Sequence, residues 1–315
     1  MISRIADHCF WFGRYIERAE STARGLVATR NLALDAELEP TQCWRPVLIV
    51  SGEEARFNAQ EGPEACADGE RVERYMTWEE QNLSCLRSTI NAARLNARAI
   101  RDVLSLEAFE TTNELYLWIS SPAAREEFNQ NRFGFYRKIR QSCQLCLGLL
   151  RSTMLHDTPL DMIWLGVLLE RVSQTARLLD VHHYAVRDLE ESTADAVWLS
   201  LLRACSGFES YLKRSHGKVT GLGVASFLFG EPQFPRSVHY CVRSSYERFC
   251  AIRPPAQAHL PGQETYARFL ALDAWLSQQM KTPLELTQLH DLLTHVVDES
   301  VEICQGLATE LFGYS

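Results

Sequence analysis

The sequence predicts an all-α protein, a helical bundle made of two tandem related halves with pseudo-two-fold symmetry. Two observations carry this prediction. Apolar residues recur at steps of three and four along most of the chain, which is the spacing of one helix face. A motif near the N-terminus also returns, without gaps, in the middle of the chain. Alternating runs typical of strands are nearly absent, and the best candidate, 47–50, is too short to found a sheet.

The helical spacing covers eight stretches of the chain. They are 4–34, 80–119, 134–154, 160–187, 193–216, 238–249, 264–279 and 283–312. Proline stands at the predicted start of three helices, at Pro122, Pro159 and Pro283, where its missing N–H group costs no hydrogen bond.

Three segments are predicted to connect the helices. Residues 52–69 mix glycine, proline and acidic side chains without a clear period, which favours a mobile surface loop. Residues 227–236 and 252–262 contain helix-breaking prolines and are expected to be irregular. Gly221 and Gly223 lack the context of a phosphate-binding loop, so we expect a turn there.

Composition and charge exclude several classes of protein. The 315 residues are 46% hydrophobic and 23% charged, as in an ordinary globular protein, and carry a formal net charge of −8. This charge gives no reason to expect binding to nucleic acid or to an anionic membrane. No apolar stretch is long enough to span a membrane, and the first residues lack the pattern of a secretory signal. The ten scattered cysteines are expected to be free thiols in the cytoplasm.

The internal repeat relates two segments that are 153 positions apart. Eight of sixteen aligned residues are identical: Trp11, Gly13, Glu17, Arg18, Thr22, Ala23, Arg24 and Leu26 return as Trp164, Gly166, Glu170, Arg171, Thr175, Ala176, Arg177 and Leu179. A weaker echo relates Glu79, Gln81 and Cys85 to Glu231, Gln233 and Ser237. We therefore predict one unit over 1–315 with an internal repeat of 1–153 and 154–315.

The glutamate and the arginine of each motif point in different directions on a helix. With Trp11 at the origin, the apolar residues share one arc, whereas Gly13, Glu17 and Arg24 fall on the opposite face. Glu17 and Arg18 therefore cannot simply pair with each other. A glycine one turn before a glutamate lets another backbone or a ligand approach closely. Two interpretations remain: Glu17 and Glu170 pair, across the pseudo-symmetry axis, with arginines of neighbouring helices, or these groups line a polar ligand pocket.

The doubled Trp-x-Gly-x-x-x-Glu-Arg motif resembles that of the α-E domain family of bacterial proteins. The likeness covers nearly the whole chain, and it includes an Asn-Ala-Arg helix at 96–98 and a Phe-Pro-Arg-Ser-Val turn at 234–238. This chain has Leu83, Leu95 and Phe109 where the family commonly has Pro, Glu and Trp.

The resemblance implies a role in a peptide or amide-bond modification pathway. Similar proteins occur beside, or fused to, circularly permuted ATP-grasp amide ligases and transglutaminase-like proteins. The implied role is an auxiliary, non-catalytic helical subunit that binds such a ligase or its peptide substrate, without a cofactor. The candidate binding or structural residues are Glu17, Arg18, Arg24, Glu170, Arg171 and Arg177, followed by Asn96, Arg98 and Arg236. Arginines there would hold carboxylates in a bidentate manner.

An enzyme in its own right is the alternative, with a glutamate of a buried Glu-Arg pocket as general base acting on an amide or peptide. No recognisable catalytic motif supports it, since the chain has no Gly-x-Ser-x-Gly elbow. The Cys143-Gln-Leu-Cys146 pair lies in a helical pattern without a second pair, which favours buried thiols. The acidic and histidine residues near the second motif have no defined metal-ligand spacing. They are His156, Asp157, Asp161, His182 and His183.

Overall fold

The structure, a computed structural model, describes residues 3–35, 37–187, 189–257 and 259–314. These residues form fifteen α-helices and no strand, so the predicted all-α class is confirmed. The helices are α1 (Ser3–Asp35), α2 (Pro40–Ser51), α3 (Glu54–Glu61), α4 (Gly69–Trp78), α5 (Leu86–Ala99), α6 (Leu106–Ile119), α7 (Pro122–Gln130), α8 (Arg132–Thr153), α9 (Thr158–Ala185), α10 (Glu191–Ala204), α11 (Phe208–Ser215), α12 (Gly221–Gly230), α13 (Val238–Ile252), α14 (Gln263–Gln279) and α15 (Leu289–Gly306). A π-helical turn, Leu307–Phe312, follows α15.

The two motif helices, α1 and α9, form the centre of the molecule. They pack along each other; α5, α8 and α10 also pack on α1, and α13 and α15 pack on α9. The predicted apolar stripe of α1 is buried, with Phe12, Ile16 and Leu26 at most 1% exposed. Each such side chain stabilises the fold by about 1.5 to 3 kcal/mol. The motif helices therefore position their polar residues inside the bundle.

Gly13 and Gly166 bring the backbones of α1 and α9 into direct contact. A Cβ atom on Gly13 would lie 2.0 Å from the carbonyl oxygen of Ile163, and one on Gly166 would lie 2.0 Å from that of Phe10. No side chain fits in either place. Each glycine therefore allows the backbone of the other motif helix to approach closely, and the two contacts are reciprocal.

Further contacts recur in the two predicted halves. The ring of Trp44 lies where a Cβ on Gly69 would be, and the ring of Trp198 lies in the same way over Gly221. Each pair joins two helices of one half. The recurrence is consistent with the repeat of 1–153 and 154–315, which stays a prediction.

Residues 52–69 are not a loop, so that prediction is wrong. They contain α3 and a 3-10 turn, Pro63–Ala67. Phe57 on α3 is fully buried, and its ring meets that of Tyr75 at 5.1 Å. Tertiary burial of one aromatic side chain thus stabilises a helix that its polar composition does not suggest.

Two of the predicted helical stretches are each divided in two. Within 80–119, α5 ends at Ala99 and Ser105 caps α6 by accepting a hydrogen bond from the Ala108 N–H at 3.4 Å. Within 193–216, Ser206 takes a left-handed conformation with φ 51°, and the chain turns before α11 begins. Apolar spacing continues across both breaks, so it did not reveal them.

The glycine and proline predictions have mixed outcomes. Pro122 and Pro159 lie in the first turn of α7 and α9, as predicted. Gly221 begins helix α12 rather than forming a turn, because the Thr220 side chain caps it. Helix α12 continues to Gly230, so only the later part of the predicted irregular segment 227–236 is irregular.

Pro283 does not begin a helix. Helix α15 starts at Leu289, and Leu284 and Leu286 pack against the core from the segment before it. The apolar spacing there comes from tertiary packing. The segment 252–262 is largely irregular, as predicted, although its residue Ala258 lies outside the described residues.

Candidate functional site

The two Glu-Arg motifs pair with each other across the α1–α9 contact. A guanidinium nitrogen of Arg171 lies 2.9 Å from a carboxylate oxygen of Glu17. Reciprocally, Arg18 donates two hydrogen bonds to Glu170, at 2.7 and 2.9 Å. Sequence neighbours leave a helix in different directions, and the close crossing of α1 and α9 brings each glutamate to the arginine of the other motif.

A larger buried network surrounds Glu17. Arg236, in the turn before α13, donates to Glu17 and, at 2.9 Å, to Glu20. Arg24 donates to Glu20 at 2.7 Å. Glu17 and Glu20 are fully buried, and Arg24 is 3% exposed. Three guanidiniums, those of Arg24, Arg171 and Arg236, thus surround two carboxylates.

Glu170 has a simpler environment. Besides Arg18, it accepts a hydrogen bond from Arg14 at 2.8 Å and one from Gln174 at 3.3 Å. Arg14 also donates to the Cys304 sulfur at 3.1 Å. One carboxylate is therefore held by two guanidiniums.

The arginines keep both motif glutamates ionised. Burial acts to raise the pKa of Glu17, but the charges of Arg171 and Arg236 outweigh it and lower the pKa to about 2. For Glu170, burial is outweighed in the same way by Arg18 and Arg14, and the pKa falls to about 2. Carboxylates with such low pKa values are poor proton acceptors near neutral pH.

The members of these networks that sequence reasoning missed include Arg14, Glu20, Gln144 and Gln174. Gln144 on α8 donates to Glu20 at 3.1 Å. Arg14 and Glu20 each lie three positions from Glu17, and therefore on its side of the helix. They are not part of the repeat, because Val167 and Ser173 occupy the corresponding positions of α9. The helical spacing of charges on α1 indicates Arg14 and Glu20, whereas identity between the two motifs does not.

The remaining predicted residues do not join the networks. Asn96 hydrogen-bonds to His8 at 2.8 Å and donates to the Ala92 carbonyl. Arg98 is exposed and has no ion pair among the described residues. Arg177 is likewise exposed and without an ion pair in that part of the chain, but it lines a cavity.

This cavity, which we call the central cavity, has a volume of about 210 Å³ and lies between α1, α2, α9 and α10. Arg14, Arg18, Arg177 and Glu170 contribute to its wall, whereas Glu17 does not. The two motifs therefore differ. Glu17 is fully buried in a network away from the central cavity, and Glu170 belongs to the wall of that cavity.

The central cavity is cationic at one part of its wall and apolar at another. Among the described residues, three guanidiniums face it together with one carboxylate, which Arg14 and Arg18 already bind. Hydroxyl groups of Ser21, Ser173 and Ser200 and the apolar side chains of Val47, Val50, Met76 and Leu178 complete much of the wall. Such a surface suits a ligand with one anionic group and an apolar part.

The histidine and acidic residues near the second motif do not converge on a metal. Asp161 pairs with Arg248 at 2.8 Å, and His182 hydrogen-bonds through Nδ1 to the Leu178 carbonyl at 2.8 Å. Burial lowers the pKa of His182. In the described ranges, no three histidine, cysteine or acidic side chains are grouped to hold a metal ion.

The cysteines are free thiols, and eight of the ten are buried. Burial raises the pKa of Cys146 to about 11 and raises that of Cys143 well above its ordinary value. The Cys-x-x-Cys pair is therefore protonated and unreactive near neutral pH. None of the described helices is both long and apolar enough to cross a membrane.

Comparison with known proteins places these observations in a family. Uncharacterised proteins of Mycobacterium bovis and of two strains of Mycobacterium tuberculosis are 23% identical over 252 residues. The match covers 75% of this chain but only 28% of each relative, so most of each relative lies outside it. No solved structure matches the chain. A family model described as a predicted alpha-helical domain with a conserved ER motif matches residues 1–312, and the chain therefore belongs to the Alpha-E family.

Proposed function

We propose that this chain is a non-catalytic, auxiliary subunit of a peptide or amide-bond modification system, and that its central cavity holds a carboxylate group of the peptide. One observation carries the proposal. The cavity presents three arginines, Arg14, Arg18 and Arg177, around a single carboxylate that two of them already neutralise. The exposed Arg177 remains for a ligand, and arginine binds carboxylates through two parallel hydrogen bonds.

The state of the glutamates supports a binding role over acid-base catalysis. A general base needs a pKa near the working pH and a free oxygen directed at the substrate. Glu17 and Glu170 have pKa values lowered to about 2 and are held by arginines. They act as anchors that orient the guanidiniums.

The length of the relatives supports a protein partner. In the mycobacterial proteins, the segment similar to this chain occupies 28% of the polypeptide. A domain that is joined to other domains in one protein often has a separate partner in another. We propose an ATP-grasp-type amide ligase as this partner, with a transglutaminase-like protein as a further one.

The cavity is tested with a peptide that ends in a free carboxylate and with the same peptide amidated. Binding of each is measured by calorimetry to the wild-type chain and to Arg177→Gln. We expect the amidated peptide and the variant each to weaken binding by about tenfold, because one charge-assisted pair is lost. Arg98→Gln is the matched control, since Arg98 is also exposed and lies outside the cavity. Equal binding of the two peptides would refute the carboxylate role.

The partner is tested separately. The tagged chain is purified from its native host at low salt, and stoichiometric partners are identified by mass spectrometry. An ATP-grasp ligase that co-elutes, and that loses activity when the chain is removed, is the expected result. A chain that elutes alone and hydrolyses or forms amide bonds by itself would refute the auxiliary role.

A further inference from the structure

A second cavity, which we call the Arg140 cavity, lies between α1, α8, α10 and α11. Its volume is about 260 Å³. The polar side chains on its wall are those of Arg24, Asn31, Arg140, Arg203, Ser206 and Glu209. Arg14, Arg18 and Arg177 of the central cavity are not among them.

Two of these arginines have no counter-charge. Arg140 and Arg203 form no ion pair with any described residue. The Nε atom of Arg140 is buried and has no hydrogen-bond partner among them, and Arg203 lies over the ring of Phe208 at 5.5 Å. The charges of Arg140 and of the exposed Arg203 are thus left for an anion that enters the cavity.

The buried network adds positive charge to the same wall. Arg24, Arg171 and Arg236 surround Glu17 and Glu20, which leaves one positive charge in excess. Arg24 is the member of this network that reaches the Arg140 cavity. The chain as a whole carries a net charge of −8, so this concentration of cations is local.

Glu209 is the only carboxylate on the described wall. It is exposed and forms no ion pair with the described residues. Its charge opposes the binding of an anion beside it, while Asn31 and Ser206 offer neutral hydrogen-bond donors. The wall therefore has a net positive charge and the donors that an oxyanion needs.

We propose that the Arg140 cavity binds a phosphate group, with Arg140 and Arg203 as its principal ligands. A phosphate carries a charge of about −1.5 to −2 at neutral pH, which suits two arginines without ion-pair partners. A carboxylate, with one charge, would leave one of them unneutralised. This site goes beyond the proposed function, and its loss is expected to leave peptide binding in the central cavity unchanged.

The test uses inorganic phosphate as the probe. Thermal unfolding of the full chain is followed in phosphate and in chloride at equal ionic strength. We expect a saturable rise of Tm in phosphate. Arg140→Gln and Arg203→Gln are each expected to weaken the apparent affinity by about tenfold. The absence of a saturable rise, or equal affinity of the wild type and both variants, would overturn the proposal.

The variant Glu209→Gln distinguishes an effect on phosphate binding from an effect on folding. Removal of the opposing carboxylate is expected to strengthen phosphate binding by about threefold. A variant that folds poorly cannot produce this gain. Arg98→Gln, which removes an exposed arginine elsewhere, is the control and is expected to bind as the wild type does. Weaker binding by Glu209→Gln would contradict the proposed position of the phosphate.

Methyl phosphate and acetate complete the experiment. Tighter binding of methyl phosphate than of inorganic phosphate would identify a phosphorylated ligand, and the reverse would identify free phosphate; both results support the site. Acetate that binds as tightly as phosphate would refute a phosphate site.

Discussion

At the scale of single residues, the centre of the molecule depends on buried ion pairs. A buried ion pair adds little to folding stability when the free-energy cost of its desolvation is large. Its contribution is greater when additional hydrogen bonds satisfy both partners. Glu17 and Glu170 each have two arginine partners. The two motifs have nonetheless diverged. Arg14 and Glu20 have no counterparts in the second motif, and Glu17 lies in a buried network of five charges while Glu170 faces the central cavity.

Gly13→Ala is expected to destabilise the protein by about 3 kcal/mol. The new methyl group would lie 2.0 Å from a backbone carbonyl of α9, and the overpacking can only be relieved if the two helices separate. The free energy of unfolding in urea measures the effect.

Gly25→Ala, on the same helix, is the control. A Cβ there meets no atom within 4 Å, so the substitution is expected to stabilise the protein by about 0.5 to 1 kcal/mol. A similar stability change in both variants would contradict the close crossing of α1 and α9.

The pH dependence of stability follows from the glutamates. The folded-state pKa of Glu170 is about 2, below its ordinary value of 4.5, so the ionised group stabilises the fold above pH 4.5. This contribution is lost as the pH falls from 4.5 towards 2. The free energy of unfolding is therefore expected to fall more steeply over this range for the wild type than for Glu170→Gln. Equal slopes would contradict the ionised, paired state of Glu170.

At the scale of elements, helix α1 is unusual because it has buried residues on several of its sides. Neighbouring helices cover it on several sides, and Glu17, Glu20 and Arg24 are as buried as its apolar residues. Charged residues on such a helix must find partners from the helices around it. The charged side chains of Glu17, Glu20 and Arg24 therefore form part of an ion-pair network inside the bundle.

The helix caps recur at related positions. Cys85 caps α5 and accepts a hydrogen bond from the Ser88 N–H at 3.3 Å, and Ser237 caps α13 and accepts one from the Tyr240 N–H at 3.1 Å. The turns before these two caps are also similar, because the side chains of Glu79 and Glu231 each accept a hydrogen bond from the backbone N–H two positions later. The weaker part of the predicted repeat therefore corresponds to two similar turns.

Ser237→Ala is expected to destabilise the protein by about 1 kcal/mol. The Ser237 hydroxyl is fully buried, and the variant loses the cap of α13. Denaturant unfolding measures the loss. Ser244→Ala, on the same helix, changes a hydroxyl that makes no hydrogen bond with the described residues, and it is expected to change stability by less than about 0.5 kcal/mol. Equal effects would contradict a capping role.

At the scale of the whole molecule, the two predicted halves share one interior. Glu17 and Glu20 of the first half pair with Arg171 and Arg236 of the second, and Arg24 donates to the Ala204 carbonyl. The apolar faces of α1 and α9 also bury each other. Separation of the two predicted halves would expose the apolar faces of α1 and α9 and would leave charged side chains unpaired.

The segments 1–153 and 154–315, expressed separately, are therefore expected not to fold. Expressed together, they are expected to form a one-to-one complex with the helical content of the intact chain, because the break falls in the short connection between α8 and α9. Circular dichroism and size-exclusion chromatography measure both results. A first segment that folds cooperatively alone would contradict the prediction of a single unit.

The sequence by itself determined the helical class, the positions of the central helices and the motif residues. Periodicity is a local property, and α1 was predicted at 4–34 and observed at Ser3–Asp35 because its spacing is unbroken. The spacing of apolar residues did not predict the secondary structure where tertiary burial determined it. Phe57 stabilises α3 only through its contact with Tyr75, and Ser206 divides a stretch whose apolar pattern continues.

Only the tertiary structure decided the partners of the charged residues. A helical angle shows that Glu17 and Arg18 point apart, but it does not show that each meets the other motif. Arg236 lies 219 positions from Glu17, and no pattern in the chain relates them. The cavities depend on the same information, because their walls combine side chains from several helices whose mutual positions the packing of α1 on α9 fixes.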